Sequence, residues 1–331
     1  MSLLRWVHNR LSHRFLWVNK LKTLIYLLIL SLLWGSSFFW TKELLVFFAP
    51  PTIVFFRCLF GLVALLPFLL FKKDKIKVKI HPFFIFVVAL GAAIPWNIMA
   101  FSLQGIDTSL SGVLNATTPL FALIYSLFIL KSKVSWNQTT GLLIGFIAVI
   151  ILMIFSGLTS SSHFSFLHAL LMFAVTISYA LNSIWIKKYF ASIPATILGF
   201  WTLLISAVIN GVISIFTEPH AYTHLGNLEI IISLVVLGCL SSGLGYVIFY
   251  QIVSTGGPLL ALMVTFIVPF ISISLGIFFL REPFHLGIAI GLPLMILSLF
   301  IMNINAFKLQ VKRSDSKQHS INTAPEDLKK I

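Results

Sequence analysis

The sequence predicts an all-α polytopic membrane protein: ten transmembrane helices arranged as two inverted five-helix repeats. Three observations predict it. Of the 331 residues, 59% are hydrophobic and 10% charged, a balance that excludes a soluble globule. Apolar runs long enough to cross about 30 Å of hydrocarbon recur along almost the whole chain. Residue spacings also recur between the halves. A basic residue follows Pro119 and Pro269 by twelve positions (Lys131, Arg281), and a glycine by twenty-two (Gly141, Gly291).

The ten spans cover about 24–47, 52–71, 82–104, 108–130, 137–157, 164–186, 195–217, 228–252, 258–280 and 284–305. The first repeat therefore occupies 24–157 and the second 164–305, between a basic arm at 1–23 and a polar, disordered tail at 306–331. Continuous apolar runs such as Leu24–Leu33 exclude a β-barrel, which needs alternation. Span one is no cleavable signal, because it ends in bulky Trp34 to Trp40 without a small-residue cleavage site. Asn97–Leu103 of span three lines up with Tyr246–Ile252 of span eight, given one inserted residue near Gly257. Trp34 and Lys42 of span one match Tyr179 and Lys187 of span six at the same spacing of eight. An odd number of spans per copy turns the second copy over, a common ground plan of secondary transporters.

Charge supports this topology. The net charge is +14, but it is one-sided. With the N-terminus inside, twenty basic residues fall on the inner side and two (Lys42, Arg281) near the outer, with Arg57 inside a span. The loop between spans seven and eight carries Glu218 and Glu229 and no Lys or Arg. That is the positive-inside rule, so both termini are expected in the cytoplasm of a cell with this protein in its (bacterial inner) membrane. The basic charge sets topology and contacts anionic lipid; it does not mark nucleic-acid binding. Cys58 and Cys239 both lie in spans, without disulfide or metal spacing. HExxH, GxSxG and carboxylate pairs within spans are missing, so no enzyme, cofactor or metal centre is expected.

Intramembrane polar groups are the first functional candidates. Arg57 and Lys42 both map toward the outer side. They read either as a positive rim attracting a carboxylate or phosphate, or as a snorkelling Lys42 with an Arg57 that pairs with Glu43 or caps a carbonyl. Glu43, Asp107 and Glu282 map to outer helix ends, leaving no acid at the midplane for proton coupling, and His168 is the only histidine candidate within a span. Pro119 and Pro269 sit mid-span and free the carbonyls of Asn115 and Thr265. They read as matched hinges lining a polar site, or as kinks repaired by neighbours. Trp34 with Ser37, Tyr179 with Asn182, and Tyr246 with Tyr250 share helix faces by their spacing, and Asn97 adds an amide. Each of these groups also reads as interhelical hydrogen bonding without a solute. Gly141/Gly145 and Gly287/Gly291 repeat a GxxxG in the last span of each copy, a packing or homodimer face.

The chain resembles the drug/metabolite transporter superfamily, in its ten-helix form with two EamA-like repeats. The resemblance is carried by Trp34-Gly35-Ser36-Ser37-Phe38 with Lys42, Pro51 to Arg57, Pro119, Pro269 and Leu280-Arg281-Glu282. It covers about 24–305 and departs at Ser132, where the first repeat often has a matching glutamate. The resemblance implies exchange or efflux of small metabolites, often amino acids or related polar compounds, by alternating access. A lipid- or drug-translocating carrier of the same fold is the alternative. The expected solute site is Trp34, Ser37, Arg57, Asn97, Asn115, Tyr179, Asn182, Tyr246 and Tyr250, with Pro119 and Pro269 as hinges.

Overall fold

A computed structural model describes residues 25–70, 78–131, 135–159, 165–256 and 264–302. The arm at 1–23, the tail at 306–331, Ser132 and the side chain of Tyr250 lie outside the described residues. The chain is all-α, with no strand among the described residues. α1 (Ile25–Leu44), α2 (Pro50–Leu70), α3 (Pro82–Ala89) and α4 (Ala93–Ser102) form the first three crossings. α5 (Thr108–Asn115), α6 (Thr118–Leu130) and α7 (Trp136–Thr159) complete the first repeat. The second contains α8 (Phe166–Tyr189) and α9 (Ala195–Thr217). α10 (Leu228–Leu234), a π-helical stretch (Val235–Leu244) and α11 (Gly245–Gly256) follow as one crossing. α12 (Val264–Leu280) and α13 (Leu286–Met302) end it.

Eight of these segments are long and apolar enough to span a bilayer, and two shorter apolar helices, Ile267–Leu280 and Leu286–Met302, make ten crossings. Five crossings per repeat invert the second. The end where α1 begins is called near, and the opposite end far. The outer surface is apolar: Phe128, Phe216 and Phe278 are each more than three-quarters exposed, a coat that suits hydrocarbon rather than water.

Helix ends follow local chemistry. His81 accepts from Phe84 N ahead of Pro82, which starts α3 where a missing N–H costs nothing. Asn227 caps α10 by accepting from Glu229 N. α6 and α12 both stop on a left-handed residue, Lys131 (φ 51°) and Arg281 (φ 55°). These are the two basic residues twelve positions after the prolines, so the repeat extends to backbone conformation. The glycine faces meet inside the chain. A Cβ on Gly141 would lie 2.6 Å from Met302 Cγ, and one on Gly291 would lie 2.9 Å from Leu152 Cδ1. Ser298 Oγ donates to the Gly141 carbonyl at 2.6 Å. The GxxxG recurrence therefore joins spans five and ten of one molecule.

Candidate functional site

Two central crossings of the first repeat are broken. Span three unwinds at Leu90–Ala92, between α3 and α4. In hydrocarbon the exposed carbonyls need donors, and the second repeat supplies them. Asn182 Nδ2 donates to Val87 O (2.7 Å), Ser178 Oγ to Leu90 O (3.0 Å) and Tyr246 Oη to Gly91 O (3.4 Å). Ser178 and Asn182 are four apart, so one face of α8 covers the break. Span four unwinds at Ala116–Thr117. There the Thr117 hydroxyl donates to Leu114 O (2.7 Å) and the Thr118 hydroxyl to Asn115 O (2.8 Å).

This corrects the reading of Pro119 and Pro269 as matched mid-span kinks. Pro119 opens a new helix, α6, where proline is tolerated, and the Asn115 carbonyl has a local donor. Pro269 lies inside the continuous α12. The sequence positions are equivalent, but the backbones differ.

Around the π-helical stretch the structure gathers Arg57, Trp34, Trp96, Tyr179 and Tyr246. Arg57 is buried, 4% exposed. Its Nε donates to Ser242 Oγ at 2.8 Å, and its Cζ lies 3.6 Å from the centre of the Trp96 ring. Ser242 in turn donates to Leu237 O, five residues back, at 3.0 Å, the spacing that π-helical winding creates. Trp96 also meets Tyr179, and its ring lies 6.5 Å from that of Tyr246. Among the described residues, the titratable groups that act on Arg57 are Tyr179, Cys58 and Tyr246; no carboxylate is among them. Trp34 Nε1 donates to Ser241 O (3.1 Å), and its ring lies 5.2 Å from Phe249.

The remaining candidates divide. The Ser37 hydroxyl donates to the Trp34 carbonyl of its own helix at 2.7 Å. Asn97 Nδ2 donates to Ala93 O (2.7 Å) and to Asn210 Oδ1 (2.5 Å), and Asn210 Nδ2 continues to Ser206 O (2.9 Å). Asn97 Oδ1 and Asn115 Oδ1 are buried and have no partner among the described residues.

Lys42 does not share a rim with Arg57. Its Nζ donates to the carbonyls of Leu103 and Ile106 (3.2 Å for the second), closing the C-terminal end of α4. Nor does Arg57 pair with Glu43 or cap a carbonyl. Lys42 belongs to a far-end cluster that ties the repeats together. Glu282 Oε1 accepts from Thr108 N (2.6 Å), and Oε2 accepts from Ser109 N (2.9 Å) and the Ser109 hydroxyl (2.6 Å). A carboxylate at the start of α5 meets both free N–H groups and the helix dipole. Gly276 makes room for it, since a Cβ there would collide with the Glu282 carboxylate and the Ser109 hydroxyl. His285 Nε2 meets Asp107 Oδ2 at 2.8 Å.

Sequence reasoning missed four residues that the structure makes central. His285, 3% exposed in the cluster, lies just ahead of the helix of span ten, Leu286–Met302. His168 itself bonds Ser165 Oγ (2.7 Å) and stacks on Phe101. Ser178, Asn210 and Ser242 were readable as polar residues inside apolar runs, but their targets are backbone atoms or partners in other spans.

Comparisons with known proteins agree with this architecture. The family model described as EamA-like transporter family matches residues 21–154 and 166–304. The chain is 24% identical over 285 residues, 86% of its length and 92% of the relative's, to the uncharacterized transporter YvbV of Bacillus subtilis (strain 168). It is 31% identical over 118 residues, 34% of its length and 37% of the relative's, to the uncharacterized inner membrane transporter YhbE of Escherichia coli (strain K12). A solved crystal structure superposes with a TM-score of 0.63 at 14% identity, over 87% of this chain and 98% of that one. At that identity the likeness concerns the fold alone.

Proposed function

The chain belongs to the EamA-like transporter family, and from that premise we propose that it exports or exchanges small polar metabolites such as amino acids, by alternating access between its two repeats. The observation that supports this reading is the pair of amide oxygens, Asn97 Oδ1 and Asn115 Oδ1, buried in the two broken spans without partners among the described residues. A buried acceptor left unpaired costs about 1–3 kcal/mol. A solute bringing N–H or O–H donors relieves that cost, whereas an apolar drug or lipid tail does not. The aromatic wall of Trp34, Trp96, Tyr179 and Tyr246 supplies the apolar contact that small-molecule sites need.

Alternating access gives the far-end cluster a role. Every contact of Glu282 and His285 with Asp107, Thr108 and Ser109 joins the second repeat to the first, so opening the far end breaks all of them together. The repeat-equivalent position of Glu282 in the first copy is Ser132, which leaves the near end without a matching acid. We take the far end as the outside, by the one-sided basic charge, and the compartment as a bacterial inner membrane. The test is counterflow in proteoliposomes with labelled amino acids, nucleotides and adenosyl compounds. Saturable exchange of one class supports the reading; no exchange from folded protein across the panel sinks it in favour of a lipid or drug carrier.

A further inference from the structure

We infer that Arg57 is the residue that recognises the solute's charge, and that the solute presents a single carboxylate to it. This rests on the transporter reading above and makes it chemically specific. The argument starts from cost. A guanidinium is always charged, and inside a membrane protein it is retained where it is paired or faces a functional cavity. Arg57 is 4% exposed, yet the titratable groups that act on it among the described residues are two tyrosines and a cysteine. Its one hydrogen bond among the described residues runs from Nε to Ser242 Oγ. The Trp96 ring attracts the cation from one face but provides no negative charge. Both terminal amino groups therefore remain for a ligand.

The geometry selects the ligand. Ser242 holds the Nε side and Trp96 covers one face, so the plane of the guanidinium is fixed before anything binds. The edge with its two terminal amino groups has no hydrogen-bond partner among the described residues, and it can present parallel N–H donors. That fork matches the two oxygens of a carboxylate. One fixed positive charge neutralises one negative charge, so a monoanion leaves the site neutral. A phosphate monoester, carrying close to two charges at pH 7, would leave it negative in a low-dielectric interior. Nothing in a purely structural role explains two terminal amino groups without partners among the described residues, because a neutral residue could bridge spans two and eight through Ser242 alone.

The test needs no mutation at first. Full-length protein in lipid nanodiscs is titrated with L-amino acids and simple monocarboxylates, each against its own primary amide, with tryptophan fluorescence as the readout because Trp96 lies against Arg57. A binding acid whose amide is at least about 100-fold weaker supports the inference. Arg57→Lys, which keeps the charge and loses the fork, should weaken the acid at least about 10-fold without changing the amide. Equal binding of acid and amide overturns the inference, and so does undiminished binding of the acid by Arg57→Lys. Binding of no carboxylate at all, in protein shown to be folded, overturns it as well. Counterflow separates this from the broader reading: exchange of a neutral or cationic solute leaves a transporter without a carboxylate site, whereas no exchange of any solute fails the transporter reading itself.

Discussion

The two repeats share sequence landmarks but meet the same problem with different backbones. In the first, spans three and four are cut into short helices at Leu90–Ala92 and Ala116–Thr117. In the second, the described residues at the equivalent positions stay helical, in span eight by widening into a π-helical stretch and in span nine by carrying Pro269 inside α12. The difference teaches where each repeat depends on the other. The broken first repeat exposes carbonyls that Ser178, Asn182 and Tyr246 of the second repeat cover. At the far end the dependence reverses in polarity, because the first repeat exposes the N–H groups of α5 and the second supplies Glu282. In both places the backbone of the first copy is satisfied by side chains of the second.

The largest expected effect comes from removing the acceptor at the far end. Glu282→Ala leaves Thr108 N, Ser109 N and the Ser109 hydroxyl without their charged partner. Loss of a buried charge-bearing cap costs about 3 kcal/mol, and the far end should open more often. A cysteine at Ser109 should then react faster with a membrane-impermeant thiol reagent added from the far side. An unchanged labelling rate would show that the cluster does not hold that end closed. Asn182→Leu should come next, at about 1–3 kcal/mol of stability, since it uncovers Val87 O in the break. Its signature is lower thermal stability with normal solute affinity. Asn97→Ala should differ in affinity, raising the apparent KM several-fold, beside a stability loss of about 1–3 kcal/mol because Asn210 Oδ1 loses its donor. If both variants behave alike, the division between residues that repair the break and residues that face solute is wrong.

Much of this was readable in the chain, and what was not has a physical reason. Ten spans and the inversion follow from hydropathy and an odd span count. The twelve-residue spacing from Pro119 to Lys131 and from Pro269 to Arg281 marks equivalent positions of the two copies, and in the structure both basic residues are left-handed. The break at Leu90–Ala92 was not legible, because no proline lies within it and its stability comes from side chains some ninety or more residues away in sequence. The π-helical stretch was hidden for the same reason: Val235–Leu244 reads as an ordinary apolar run, and only the contact of Ser242 with Arg57 shows why the extra residue per turn matters. Asn182 and Tyr246 were picked out as solute contacts because a polar group mid-span looks functional. Sequence does not reveal that a neighbouring backbone already takes their donors.

The prolines give the finest test of the comparison. If equivalent positions meant equivalent mechanics, Pro119→Ala and Pro269→Ala would impair turnover equally. The structure argues otherwise. At Pro119 the helix begins anew, so alanine restores no interior hydrogen bond, and Thr118 still supplies the Asn115 carbonyl; stability should change by less than about 1 kcal/mol and turnover little. At Pro269 alanine gives α12 back an amide donor for the Thr265 carbonyl and removes the ring that presses on the preceding turn. The helix that ends in Arg281 and Glu282 then stiffens. A rigid α12 should slow the step in which Glu282 leaves α5, lowering the exchange rate several-fold while solute affinity stays the same. Measuring exchange rate and binding side by side for the two variants separates a hinge from a helix start, and equal losses in both would restore the symmetric reading.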